Sequence, residues 1–134
     1  MDDIFVARLM SSGVKTVGPD TLVEDAAQLM QTHEIGSLVV TDDDNRLVGI
    51  LTTTDFVDIV AKSKPKADTT VERYMSTDVV TTTAQASIRD VADTIMEHGF
   101  HHVPVVDDEE GVIGMISTTD LAAYISTAEA PSPA

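Results

Sequence analysis

A chain of 134 residues with 43% hydrophobic residues is long enough for one ordinary domain, or for two small units too short to bury separate cores. Its 23 acidic and 8 basic residues give a formal charge of −15, which disfavours nucleic acid as a partner because phosphates are neutralised by clustered Lys and Arg. The absence of cysteine excludes disulfides, and no apolar run approaches the roughly 18 residues that a membrane span needs.

The sequence repeats itself with an offset of 65 residues. Met10-Ser11 returns as Met75-Ser76, and the register then holds without a gap to the end of the second copy. Identical pairs along the repeat include Arg8/Arg73, Asp25/Asp90, His33/His98, Gly49/Gly114 and Asp55/Asp120. The duplication predicts two repeats, copy one at residues 1–62 and copy two at 70–127, with a linker at 63–69 and a flexible tail at 128–134.

In chain order, each copy begins with a short helix, at residues 4–10 and 71–75, and a brief strand, at 14–17 and 79–82. An amphipathic helix follows. In copy one, Thr21-Leu22-Val23-Glu24 has the spacing of a capping box that begins this helix. In copy two the apolar side chains have the i, i+3, i+4, i+7 spacing of a helix packed on one face, at Ile88, Val91, Ala92, Ile95 and Met96.

Each copy ends with two strands and a closing helix. The strands are expected at residues 37–41 and 47–51 in copy one and at 102–106 and 112–116 in copy two, with an acidic turn inside each pair. The closing helices are expected at 53–62 and 118–127. Each copy is therefore β-α-β-β-α, which predicts an α/β (α+β) fold whose two repeats cover each other's sheets and share a core.

One chemically distinctive segment occurs in both copies, where the last strand leads into the closing helix. It is residues 49–55 (GILTTTD) in copy one and residues 114–120 (GMISTTD) in copy two. A helix start offers backbone amides to a phosphate or a hydroxyl, and its Asp can accept two hydrogen bonds from a vicinal diol such as ribose. The same Ser/Thr-x-x-Asp spacing also fits a capping box that needs no ligand, so the residues alone leave both interpretations open.

These landmarks, with residues 14–21 and 102–107, resemble the CBS domain pair, named for the regulatory region of cystathionine beta-synthase. The resemblance covers residues 4 to about 126. It implies a non-catalytic, pseudo-two-fold module that binds AMP, ADP, ATP or S-adenosylmethionine in clefts between its repeats. Such a module would sense cellular energy or another metabolic state and signal it to an effector protein, and a C2 homodimer is expected. The alternative is a ligand-free dimerisation scaffold whose motif Asp residues only cap helices.

The resemblance also assigns site residues. Asp55 and Asp120 would hold the ribose hydroxyls, and Thr52 and Ser117 would contact ribose or phosphate. The residues assigned to adenine and ribose contacts are Thr16, Ile35, Gly36 and Ser37 in copy one and Thr81, Phe100, His101 and His102 in copy two. Many phosphate-binding relatives carry Arg where this chain has Thr54 and Thr119. Only copy two has histidines near the motif, so unequal sites are expected, with copy two the better phosphate binder. The missing Arg also favours ligands of low anionic charge.

Other constellations predict no chemistry. His98, His101 and His102 with Asp107 and Asp108 lack the spacing of a structural metal site, so neither a metal nor a cofactor is expected. Nothing places a nucleophile beside a base, so enzymatic activity is not expected. The methionines are interpreted as core residues, at Met10, Met30, Met75, Met96 and Met115.

The surface charge points to a cellular setting. A bias of this kind resembles salt-adapted cytoplasmic proteins of halophilic archaea, because concentrated salt screens the self-repulsion that opposes compaction. The N-terminus is acidic where a secretory signal would be basic. A cytoplasmic location without membrane association is therefore expected.

Overall fold

The computed structural model describes residues 4–62 and 69–128, and over these ranges helices and strands alternate as the duplication predicts. The helices are α1 (Val6–Leu9), α2 (Val23–His33), α3 (Thr53–Lys62), α4 (Ile88–His98) and α5 (Thr118–Ala128), with a 3-10 helix at Val71–Arg73. The strands are β1 (Thr16–Val17), β2 (Ser37–Thr41), β3 (Leu47–Thr52), β4 (His102–Asp107) and β5 (Gly111–Ser117). The mixed α+β class is confirmed. The linker at 63–69 and the tail at 128–134 lie almost wholly outside the described residues.

Copy one forms a three-stranded sheet in the order β1-β2-β3. Strand β1 runs parallel to β2, whereas β2 and β3 form an antiparallel hairpin in which Ser37 lies opposite Thr52. The hairpin places the start of β2 beside the end of β3. The first residue of β2 is therefore held next to the hydroxyl residue that precedes α3.

Copy two forms a two-stranded sheet of β4 and β5. The prediction of a strand at residues 79–82 is wrong. Residues 79–82 are all described, and of these only Thr82 forms a bridge, to Val105 in parallel orientation. In copy one the corresponding strand pairs twice, through Thr16 with Val39 and through Val17 with Val40. Copy two has Pro104 where copy one has Val39, and a proline has no amide to donate to a ladder.

The chain divides into two compact units that differ from the sequence repeats. The unit that contains Asp55 comprises residues 14–62, 69–79 and 110–112, and the unit that contains Asp120 comprises 4–13, 80–109 and 113–128. We call them the Asp55 unit and the Asp120 unit. The helix α1, which leads copy one, lies in the Asp120 unit, and the 3-10 helix that leads copy two lies in the Asp55 unit. The leading segments are thus exchanged between the copies.

Each unit has its own cluster of buried apolar side chains, where the sequence predicted one shared core. The cluster of the Asp55 unit consists of Val23, Ala26, Met30, Leu38, Val40, Leu51, Ile59 and Val71. The cluster of the Asp120 unit consists of Val6, Val91, Ile95, Val103, Val105 and Ile116. The exchanged segments complete both clusters, because Val71 and Val6 come from them and are fully buried.

Backbone pairing holds the exchanged segments in place. In the Asp120 unit Ser11 and Met115 exchange two hydrogen bonds of 2.8 and 2.9 Å, and in the Asp55 unit Ser76 and Ile50 exchange two of 3.0 and 2.9 Å. The motif glycines allow this approach. A Cβ on Gly49 would lie 3.0 Å from the Ser76 carbonyl oxygen, and on Gly114 the equivalent contact with Ser11 would be 2.9 Å.

Two further expectations of the sequence are wrong. The capping box expected at Thr21 does not form, and α2 is preceded by Leu22 with no side-chain cap. The Val23 amide donates to the Thr69 carbonyl at 2.9 Å instead. Met96 is not a core residue, since 82% of it is exposed. It lies beside the buried Ile95 on α4, at the edge of the apolar face that the spacing predicted.

Candidate functional site

In copy one, Asp55 lies in the first turn of α3 and turns back toward the residue that precedes the helix. Its Oδ2 accepts hydrogen bonds from the Thr52 amide at 2.8 Å and from the Thr52 hydroxyl at 3.2 Å. Both side chains are half-buried. The carboxylate therefore caps its own helix, as the Ser/Thr-x-x-Asp spacing allows.

Copy two repeats this arrangement with one additional bond. Asp120 Oδ2 accepts from the Ser117 amide at 2.9 Å and from the Ser117 hydroxyl at 3.0 Å. In return the Asp120 amide donates to Ser117 Oγ at 3.2 Å. Copy two thus has a reciprocal capping box, whereas the described hydrogen bonds of copy one include only the half in which Asp55 accepts.

In both copies one carboxylate oxygen caps the helix and the other does not. Within residues 4–62 and 69–128, the hydrogen bonds of Asp55 and Asp120 engage only Oδ2. Oδ1 of each half-buried side chain is left as an acceptor. An ionised carboxylate has about four lone-pair sites, so capping does not exhaust it.

The residues that enter β2 in copy one and β4 in copy two are held against the helix start by the backbone. The Thr53 amide donates to the Gly36 carbonyl at 3.1 Å, and the Thr118 amide donates to the His101 carbonyl at 3.0 Å. The predicted site residues Gly36, Ser37 and His101 are therefore brought to the motif. The sequence indicated their proximity only through the resemblance, because the contact depends on how the hairpin closes.

His102, the first residue of β4, places a titratable side chain directly after His101. Burial lowers the pKa of His102 below its usual 6.5, and the neighbouring His101 lowers it further, while the Asp120 carboxylate acts in the opposite direction. The ring is half-buried, and at neutral pH it is mainly uncharged. Ser37 occupies the equivalent position in copy one, so only copy two has a titratable group there.

The approach to β4 also carries an aromatic surface that copy one lacks. The rings of His98 and Phe100 stack with centroids 5.8 Å apart, on either side of Gly99, which ends α4 in the left-handed conformation. Phe100 is 41% exposed. In copy one His33 and Ile35 occupy the positions of His98 and Phe100, so an aliphatic side chain replaces the phenyl ring at this point.

Thr16 and Thr81 come from the segments expected as the leading strands of the two copies. Thr16 pairs with Val39 in the sheet, and both threonine side chains are exposed. In the part of the chain that the structure describes, no hydrogen bond joins either residue to the motif. Their assignment to ligand contacts remains a prediction.

Metal-binding clusters and membrane-spanning helices are both absent from the described residues. No group of three or more His, Cys, Asp or Glu side chains there has the geometry to hold a metal ion. None of the helices described is long and apolar enough to cross a bilayer.

Comparison with known proteins adds the family. The family model for the CBS domain matches residues 6–62 and 71–127. An uncharacterised 17.7 kDa protein of Acidianus ambivalens is 37% identical over 117 residues, which cover 87% of this chain and 70% of that protein. A homoserine O-acetyltransferase of Methanosphaerula palustris is 31% identical over 125 residues, but these cover only 25% of that enzyme.

Among solved structures, the CBS domain pair of protein MJ0100 is similar over 95% of this chain and 99% of that one, with a TM-score of 0.86 and 25% identity. That protein was crystallised in complex with 5′-methylthioadenosine and S-adenosyl-L-methionine. The match covers both copies of the repeat, so it confirms the fold class predicted from the duplication.

Proposed function

This chain belongs to the CBS domain family, and on that premise we propose that it is a non-catalytic regulatory module that binds an adenosyl ligand at the Thr52–Asp55 and Ser117–Asp120 helix starts. The ligand would be AMP, ADP, ATP or S-adenosylmethionine, and no further cofactor is required. The observation that carries this proposal is the carboxylate oxygen Oδ1 of each motif Asp, which capping leaves unused.

A ribose diol suits that oxygen chemically. Two adjacent hydroxyls can donate to one ionised carboxylate, and hydrogen bonds to a charged group are worth about 1.5–3 kcal/mol each. The cap contributes to the same function, because it fixes the orientation of the carboxylate before the ligand arrives and so reduces the entropic cost of binding. Capping and binding are therefore compatible roles of one side chain.

The output of the module is a second part of the proposal. A ligand can shift a conformational equilibrium only by its different affinity for the two states, so the signal would pass to an unidentified effector protein through such a shift. We propose a cytoplasmic homodimer as the signalling form. The exposed Val57 and Val60 on α3, 68% and 74% accessible, provide apolar surface for a second copy.

The test is the pair of substitutions Asp55→Asn and Asp120→Asn in one chain. Asn keeps one side-chain oxygen that can accept from the Thr52 or Ser117 amide, but it loses the negative charge and the second acceptor. Calorimetry in high salt with adenosine and S-adenosylmethionine should show an affinity at least about tenfold lower than that of the unmodified chain.

The matched control is Asp25→Asn with Asp90→Asn. This pair is also duplicated at the 65-residue offset, lies in the first turns of α2 and α4, is exposed, and changes the net charge by the same amount. The control should bind both ligands with unchanged affinity. Equal binding by the Asp55/Asp120 variant and the unmodified chain would overturn the proposal.

A ligand-free dimerisation scaffold is the second candidate, and the reciprocal cap at Ser117 and Asp120 favours it. If the motif served only to cap helices, no adenosyl compound would raise the melting temperature. Removal of the hydroxyl cap would then lower stability by about 1 kcal/mol without any effect on ligands.

A further inference from the structure

The charge at the two motifs bears on which adenosyl ligand they accept. Resting on the proposed function, we propose that both helix starts favour adenosyl ligands whose 5′ substituent is uncharged or cationic and disfavour adenosine phosphates. Three features support this inference. Amides at each helix start are already hydrogen-bonded within the protein, the segments that form each motif lack Lys and Arg, and the chain has a large negative net charge.

The amides at each helix start are partly engaged within the protein. In copy one the Thr52 amide donates to Asp55 and the Thr53 amide to the Gly36 carbonyl. In copy two the Ser117 and Thr118 amides are engaged in the same way, and the Asp120 amide donates to Ser117 Oγ. Helix starts bind phosphate through free amides. The capacity for an anion is therefore reduced, and more so in copy two, which the sequence had predicted to be the better phosphate binder.

The segments that form each helix start and enter the adjoining strand carry no fixed positive charge. Residues 35–37 and 52–55 of copy one and 100–102 and 117–120 of copy two contain no Lys or Arg. Each motif contains one carboxylate instead. A phosphate placed one ribose away from that carboxylate would meet a like charge, which disfavours binding, whereas a sulfonium would meet an opposite charge.

His102 of copy two does not replace the missing cation at neutral pH. His102 is half-buried, and its desolvation together with the charge of His101 outweighs the favourable effect of Asp120, so the pKa falls. An uncharged imidazole can still donate one hydrogen bond to a ligand, but it does not neutralise a phosphate. The described groups that act on its charge are His101 and Asp120.

The net charge of the whole chain acts in the same direction. A formal charge of −15 repels polyanions at long range, and concentrated salt removes this contribution because the Debye length falls to about 3 Å at 1 M. The local effect of the motif carboxylate is shorter in range and is screened less. The preference for uncharged or cationic ligands should therefore weaken but persist in high salt.

The test compares five ligands on the full chain by calorimetry at high and at moderate salt: adenosine, 5′-methylthioadenosine, S-adenosylmethionine, AMP and ATP. We expect the first three to bind with affinities within about tenfold of one another. AMP should bind more weakly, and ATP at least about tenfold more weakly than adenosine.

A gain-of-function variant sharpens the test. Thr54 and Thr119 are exposed in the first turns of α3 and α5, directly before the motif Asp, and no ligand contact is assigned to their side chains. The double substitution Thr54→Arg and Thr119→Arg should raise the affinity for AMP and ATP about tenfold and leave adenosine unchanged. The control Thr54→Gln with Thr119→Gln extends the side chain without adding charge and should leave all five affinities unchanged.

The outcomes separate this inference from the proposed function. If AMP or ATP binds the unmodified chain as tightly as adenosine does, the inference is overturned and the proposed function stands. If none of the five ligands binds under any condition, the proposed function fails and the inference fails with it.

Discussion

The two copies of the repeat begin their helices differently, although their sequences align without a gap. The helix α4 is capped by Ser87, whose Oγ accepts from the Asp90 amide at 3.1 Å, and α5 by the reciprocal bonds of Ser117 and Asp120. In copy one α2 begins without a side-chain cap, and Asp55 accepts from Thr52 without a described bond in return. Duplication has thus preserved the backbone landmarks, while the local side-chain bonding of each copy differs.

In both copies the exchanged segment closely approaches the motif glycine. Substitution of that glycine is therefore expected to have the largest effect on stability. Gly49→Val and Gly114→Val should each cost about 3 kcal/mol of unfolding free energy, because the new side chain meets the backbone of Ser76 or Ser11 as well as a methionine side chain. Chemical denaturation of each variant measures the cost.

Gly13 and Gly18 offer the matched control for the glycine prediction. A Cβ at either position meets no atom within 4 Å, and neither has a positive φ. Gly13→Val and Gly18→Val should therefore change stability by less than about 1 kcal/mol. If only one of the two motif glycines proved sensitive, the equivalence of the two exchanged segments would be wrong.

The capping difference predicts an unequal pair of smaller effects. Ser87→Ala should destabilise the chain by about 1 kcal/mol because the Asp90 amide loses its acceptor. Thr21→Ala, in the capping box that the sequence predicted, should cost less than half as much, since the first amide of α2 donates to the Thr69 carbonyl instead. The test is thermal denaturation of the two variants side by side. Equal losses of stability would contradict this interpretation.

The smallest expected effect concerns pH and separates copy two from copy one. Because the folded-state pKa of His102 lies below 6.5, the unfolded chain binds the proton more tightly. The contribution of His102 to stability is therefore fully present above pH 6.5 and is lost as pH falls from 6.5 toward the folded-state pKa.

The variant His102→Ser, which copies the residue of copy one, isolates this contribution from that of the acidic residues. Its melting temperature should fall less between pH 7.5 and pH 5.5 than that of the unmodified chain. An identical decrease in both proteins would show that His102 is not desolvated on folding.

The sequence predicted the sheets and long helices well because apolar periodicity and turn residues act locally. The prediction failed where residues distant in sequence determine the local hydrogen bonding. Pro104 prevents the strand expected at 79–82, and the carbonyl of Thr69 makes the Thr21 cap unnecessary. The exchange of leading segments could not be predicted either, since a repeat shows which segments correspond and not which core they complete.

At the candidate site, too, the sequence indicated local contacts but not long-range ones. The Ser/Thr-x-x-Asp spacing offered the fold-back of Asp55 and Asp120 as one of two interpretations, because a cap is a contact between neighbours in sequence. It did not predict that the Gly36 and His101 carbonyls would engage further amides, which depends on closure of the two hairpins. The expected ranking of copy two as the better phosphate binder rested on His101 and His102. Of these only His102 is half-buried, and the sequence does not reveal that burial.

The most direct measurement of the central claim is the affinity of adenosine against that of 2′-deoxyadenosine, on the unmodified chain and on the Asp55→Asn, Asp120→Asn variant. If Oδ1 of each motif Asp accepts from the ribose diol, loss of one hydroxyl should weaken binding about tenfold in the unmodified chain and much less in the variant. Equal affinities of the unmodified chain for the two nucleosides would contradict the account.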